Sequence, residues 1–172
     1  LDIVENSIQA GARHVAITVR QDREEDVLVI EIKDDGTGMD EGLRRQAADP
    51  FFTTRRTRRV GLGLSLFEQA ARMAGGELRV ESWPGVGTTV TAQFQYSHID
   101  RKPLGEVANT LLSLVVGNPE VDFTYVSQDG ASEVRLDTRG IKAQLGSIPL
   151  SSPQGIALLR ENLEQVKTKT RP

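Results

Sequence analysis

Two glycine turns constrain this chain more than any other feature. Asp34-Asp35-Gly36-Thr37-Gly38 closes an apolar run, and Gly61-Leu62-Gly63-Leu64 opens another. Glycine admits conformations and close approaches that a Cβ forbids. The first turn therefore reads as the end of a strand and the second as the start of a helix. Singly, Asp-x-Gly-x-Gly is a common tight turn and Gly-x-Gly a common helix entry. No Gly-x-x-x-x-Gly-Lys-Ser/Thr loop occurs in the sequence, so a phosphate-binding site here would be built by another route.

The periodicity around the turns alternates between helix and strand. Leu1, Val4, Ile8 and Ala12 recur at helical spacing, with Gly11 where the helix would end. Val15, Ile17 and Val19 alternate as a half-buried strand does, and residues 27–32 form a denser apolar strand. Residues 41–48 predict a short helix and 64–74 a longer one, closed by Gly75-Gly76. Strands over 77–82 and 88–96 flank Pro84-Gly85-Val86-Gly87, a hairpin signal. The pattern predicts an α+β fold: a two-layer α/β sandwich, with a mixed sheet and helices on one face.

After Tyr96 the composition changes. Residues 97–103 are polar and linker-like, whereas 104–116 are apolar on nearly every side and predict a buried helix. Val121, Phe123 and Tyr125 alternate, Asp129-Gly130 predicts a hairpin turn, and Pro153 starts a final helix with Ile156, Leu159, Leu163 and Val166 on one stripe. The expected organisation is residues 1–97 as one unit and 98–172 as a small helix-hairpin-helix α/β lobe.

Composition excludes several functions. Among 172 residues there is no cysteine, so disulfides, thiolate metal sites and a cysteine nucleophile are ruled out. Two histidines, His14 and His98, are too few for a histidine-rich metal site. A net charge of -3 gives no reason to expect nucleic acid. No apolar run approaches membrane-spanning length and no signal peptide is visible, so the expected compartment is the cytoplasm, without membrane contact. The chain begins inside a helical pattern without methionine, which suggests a segment upstream of Leu1.

Five motifs in a fixed order carry a family resemblance, from Leu1 to about Phe94. Residues 1–12 resemble the N box of the GHKL superfamily in its MutL and gyrase form. This superfamily comprises gyrase, the heat-shock chaperone, sensor histidine kinases and MutL repair proteins on the Bergerat ATP-binding fold. Residues 34–39 resemble its G1 box, 49–55 the F box of histidine kinases and 61–66 their G2 box. Residues 75–89, Gly75-Gly76 through Gly87-Thr88-Thr89, are also similar to the kinases. The resemblance implies ATP and Mg²⁺ as cofactors. It implies that Asn6 binds Mg²⁺ and that Asp34 accepts the exocyclic amine of adenine. Gly36, Gly38 and Thr88 would surround the base. Thr54, Arg55, Gly61, Leu62, Gly63 and Leu64 would face the phosphates. Asp2 stands where the hydrolytic branches carry a glutamate, and is one methylene shorter. Arg55, Arg56, Arg58 and Arg59 fall in the ATP-lid segment, which is short as in some kinases.

The residue chemistry agrees with these roles. An asparagine oxygen is a hard ligand suited to Mg²⁺ shared with phosphate. An ionised aspartate only accepts hydrogen bonds, which favours an amine over the guanine carbonyl. His14 reads as structural. Residues 97–104 partly resemble a kinase H box, but Ile99 replaces the acid expected after His98 and the segment follows the ATP motifs. Three activities remain open. The first is a histidine-kinase-like enzyme serving phosphotransfer to a protein side chain in signalling. The second is an ATP-dependent binding switch or regulator, and the third a MutL- or gyrase-type ATPase. The expected partners are ATP and a protein phosphoacceptor or regulatory partner, with a homodimer possible through the upstream segment. Little or no ATPase activity is expected of the isolated chain.

Overall fold

The computed structural model describes residues 1–47 and 62–169. Six strands form one sheet in the order β3-β4-β2-β1-β5-β6. The strands are β1 (His14–Asp22), β2 (Val27–Asp34), β3 (Glu77–Trp83), β4 (Gly87–Gln95), β5 (Asp122–Asp129) and β6 (Ser132–Asp137). Between and after them run α1 (Asp2–Gln9), α2 (Glu41–Ala47), α3 (Leu62–Met73), α4 (Val107–Gly117), α5 (Thr138–Leu145) and α6 (Pro153–Lys169). All neighbouring strands are antiparallel except β1 and β5, which are parallel. The sheet is mixed, as expected.

Burial alternates along β2, β4 and β6 over their core-facing rows, as a sheet with one covered face requires, whereas β5 buries Phe123, Thr124 and Tyr125 in succession. Val15 and Val19 are buried on β1, Leu28, Ile32 and Asp34 on β2, and Val90, Ala92 and Phe94 on β4. Phe123 and Tyr125 continue the buried row on β5, and Val134 and Leu136 on β6. The register sets these rows side by side: Val15 stands opposite both Asp34 and Phe123. Ile3 and Val4 of α1, Leu64 and Ala71 of α3, Leu111, Leu114 and Val115 of α4 and Leu159, Leu163 and Val166 of α6 complete one core. Truncating one of its fully buried leucines costs about 2–5 kcal/mol.

Asp34 is therefore the last residue of a strand, on the core face, where the sequence reading placed it in the following loop. The C-terminal segment adds the β5–β6 hairpin beside β1, extending the sheet that carries the N-terminal motifs. Helix α5 was not anticipated. Gly140 interrupts its pattern, yet Asp137 accepts from the Arg139 amide as its N-cap, Thr138, Ile141 and Leu145 are buried, and Gly146 follows at φ +60.

Candidate functional site

The site is assembled where α1, the end of β2, the start of β4 and the start of α3 converge. Asp34 is its centre and is 8% exposed. Its Oδ1 accepts from the backbone N–H of Gly36 at 3.0 Å and of Thr88 at 3.2 Å. Its Oδ2 accepts from the Ser7 hydroxyl at 2.6 Å. A carboxylate fed by three donors has its position fixed before any ligand arrives.

The loop after Asp34 is pinned from two sides. Thr37 N–H donates to the Ala10 carbonyl at the end of α1, and the Thr37 carbonyl accepts from Gly85 N–H at 2.7 Å. Met39 N–H donates to Ser82 Oγ at 2.8 Å, and Ser82 Oγ lies 2.8 Å from Thr88 Oγ1. Two glycines permit this closeness. A Cβ at Gly38 (φ +65) would meet the Trp83 carbonyl oxygen at 2.0 Å, and one at Gly87 (φ +126) would meet that of Asp34 at 2.0 Å. The neighbouring Asp35 anchors the loop to β1 by accepting from the N–H groups of Arg13 and His14 at 2.8 and 2.9 Å. Partial burial pushes the Asp35 carboxyl up, but the His14 and Arg13 amides outweigh it and hold the group below the ordinary aspartate value.

The second half of the site lies between α1 and α3. Asp2 and Asn6 are one helical turn apart on α1, and both are exposed. A Cβ on Gly63 would stand 2.8 Å from the Asp2 Cβ and 3.4 Å from its Oδ2. The Asp2 carboxylate thus borders the first turn of α3, where unpaired amides and the helix dipole favour anions. Leu64 is buried there at 8% exposure, and the α3 backbone starts at Leu62. Gly61, Thr54 and Arg55, with the rest of the F box and the lid arginines, lie outside the described residues. Asp2, Asn6, Asp34, Gly36, Gly38, Gly63, Leu64 and Thr88 are brought together.

The histidines are not. His14 lies at the start of β1 with Nε2 2.9 Å from Thr124 Oγ1. His98 packs at the opposite end of α3, its Cδ2 3.5 Å from where a Gly75 Cβ would stand. Helix α3 has 12 residues, so about 18 Å separate that end from Gly63. Sequence reasoning missed Ser7 and Ser82. Ser7 directly follows Asn6, but its partner is 27 positions away, and no local pattern marks that pairing.

Comparison with known proteins adds an independent line. Residues 1–98 match the family model described as histidine kinase-, DNA gyrase B-, and HSP90-like ATPase. Among curated relatives, the tetrathionate sensor histidine kinase TtrS of Salmonella typhimurium is 35% identical over 101 residues, 56% of this chain and 17% of that protein. The signal transduction histidine-protein kinase AtoS of Escherichia coli is 37% identical over 92 residues, 53% of this chain and 15% of that protein. Sporulation kinase C of Bacillus subtilis is 31% identical over 88 residues, covering 51% and 20%. The matched stretch spans about a sixth of TtrS and AtoS and a fifth of sporulation kinase C.

Proposed function

The chain belongs to the histidine kinase-, DNA gyrase B- and HSP90-like ATPase family, and from that premise we propose that it binds Mg²⁺-ATP and serves phosphotransfer to a protein side chain in signalling. One observation carries the reading: a buried, acceptor-only carboxylate, Asp34, is held by backbone amides beside a glycine turn. Asp34 accepts the exocyclic amine of adenine and opposes the carbonyl of guanine. Gly36 and Gly38 let the base approach, and Thr88 supports Asp34 through its amide. The opening turn of α3, with Leu62, Gly63 and Leu64, receives the phosphates; sequence alone assigns Gly61, Thr54 and Arg55 to the same end.

Asn6 holds the metal in this reading. The donor present fits Mg²⁺: Asn6 offers an oxygen-bearing side chain on the exposed side of α1, one turn from Asp2, which borders the α3 start. Among the described residues no group of three His, Asp or Glu side chains could hold a metal alone, so phosphate oxygens and water would have to supply the other ligands, as Mg²⁺ prefers. When bound, the ion neutralises phosphate charge. Asp2 orients water at that end, but its short side chain makes hydrolysis slow. The phosphoacceptor in this reading is a protein side chain outside residues 1–172, since His98 lies at the far end of α3 and His14 is engaged with Thr124.

Incubation with γ-labelled ATP tests this reading. The expected result is retained nucleotide, slow or no phosphate release and no label on the chain. Rapid turnover abolished in Asp2→Ala would assign the protein to the hydrolytic branch. Acid-labile, alkali-stable label absent from His98→Gln would place the acceptor on this chain.

A further inference from the structure

Ser7 adjoins Asn6 on α1 but points into the molecule, and it is 4% exposed. Its Oγ lies 2.6 Å from Asp34 Oδ2 and 3.3 Å from the Ile3 carbonyl oxygen. A hydroxyl has one proton to give. The ionised carboxylate is the stronger acceptor and here the nearer one, so the proton goes to Oδ2. Each carboxylate oxygen offers two lone-pair sites. Both sites on Oδ1 are taken by the amides of Gly36 and Thr88, and one site on Oδ2 by Ser7.

We propose that Ser7 is a specificity-determining positioning residue that leaves Asp34 a single acceptor site, on Oδ2, for one N–H donor of a bound base. The inference rests on the reading that an adenine nucleotide binds at Asp34. It adds that α1 serves the site from two sides: Asn6 toward solvent and Ser7 toward the base-reading carboxylate. Without the hydroxyl, Oδ2 loses its lateral restraint and keeps a buried lone pair unfilled. The interaction with the exocyclic amine then weakens, while contacts to the rest of the nucleotide are untouched.

Calorimetric titration of the full chain and of Ser7→Ala with two nucleotides tests this. One is ATP; the other is purine riboside triphosphate, which carries hydrogen in place of the amine. The full chain should favour ATP by at least about tenfold, the worth of a charge-assisted hydrogen bond. Ser7→Ala should shrink that preference roughly fivefold or more by weakening ATP alone. An unchanged preference in the variant would overturn the proposal. So would equal losses for both nucleotides, which would mark Ser7 as structural only. If the full chain itself binds ATP and the amine-free analogue equally, the reading of Asp34 fails first, and the role of Ser7 with it.

Discussion

Asn6 stands one turn from Asp2 on the exposed side of α1, and the metal role proposed for it yields a direct expectation. ATP should bind more tightly with Mg²⁺ than in EDTA, and Asn6→Ala should remove most of that difference. Equilibrium titrations under both conditions check it; an undiminished Mg²⁺ effect in the variant would exclude Asn6 as the ligand. How far such a residue can be read from the sequence depends on how far its partners lie along the chain. Asp34, Gly36 and Gly38 announce themselves, because an acid followed by two alternate glycines after an apolar strand leaves little room for other conformations. Ser7 and Ser82 stay silent: their meaning is a 2.6 Å bond to a carboxylate 27 positions away and a 2.8 Å bond from the Met39 amide. Asn6 is intermediate: its place one turn from Asp2 follows from helical spacing, but that Asp2 lies against Gly63 of α3 follows only from the fold.

At the scale of elements, strong periodicity carried well. The strands with alternating apolar residues and the stripe of α6 lie where the pattern puts them. Helix α5 escaped because glycine lowers helical propensity at Gly140, although its capping aspartate and the following Thr138, Ile141 and Leu145 were present as a signal. That cap can be measured. Asp137 accepts from the Arg139 N–H at 3.0 Å and pairs with its guanidinium at 2.8 Å. The Arg139 side-chain bond is the main cause that holds the Asp137 carboxyl below the ordinary value of 3.8. Asp137→Ala should cost about 1 kcal/mol near neutral pH, mostly from the lost cap, since an exposed ion pair adds little. A group with a lowered folded pKa stabilises fully above its unfolded value and loses that contribution as pH falls through the folded value. The gap between parent and variant in urea denaturation should therefore narrow below about pH 4, because a protonated carboxyl keeps an acceptor for the cap but loses its charge. A gap that is undiminished in strong acid would mean that the charge on Asp137 contributes nothing to it.

For the molecule as a whole, the architecture class was legible and the join between its halves was not. Composition marks a change after Tyr96, yet nothing local predicts that β5 pairs in parallel with β1 across more than a hundred residues, from His14 with Asp122 to Gln21 with Asp129. Such pairings are set by the edge that β1 would otherwise expose and by the shared core of Val15, Phe123 and Tyr125. A sheet held in common should unfold in common. Trp83, the single tryptophan, sits on β3 at one edge, with β6 at the other. Its fluorescence and the far-ultraviolet circular dichroism should therefore follow one coincident transition in denaturant, and two separated transitions would show halves that fold independently. Whether Asp34 reads adenine inside this fold is decided by titrating ATP and GTP calorimetrically into the chain and into Asp34→Asn. The chain should strongly prefer ATP, and the variant should lose that preference together with about 1–3 kcal/mol of ATP binding free energy; a variant that binds ATP as tightly as the parent would show that Asp34 does not read the base.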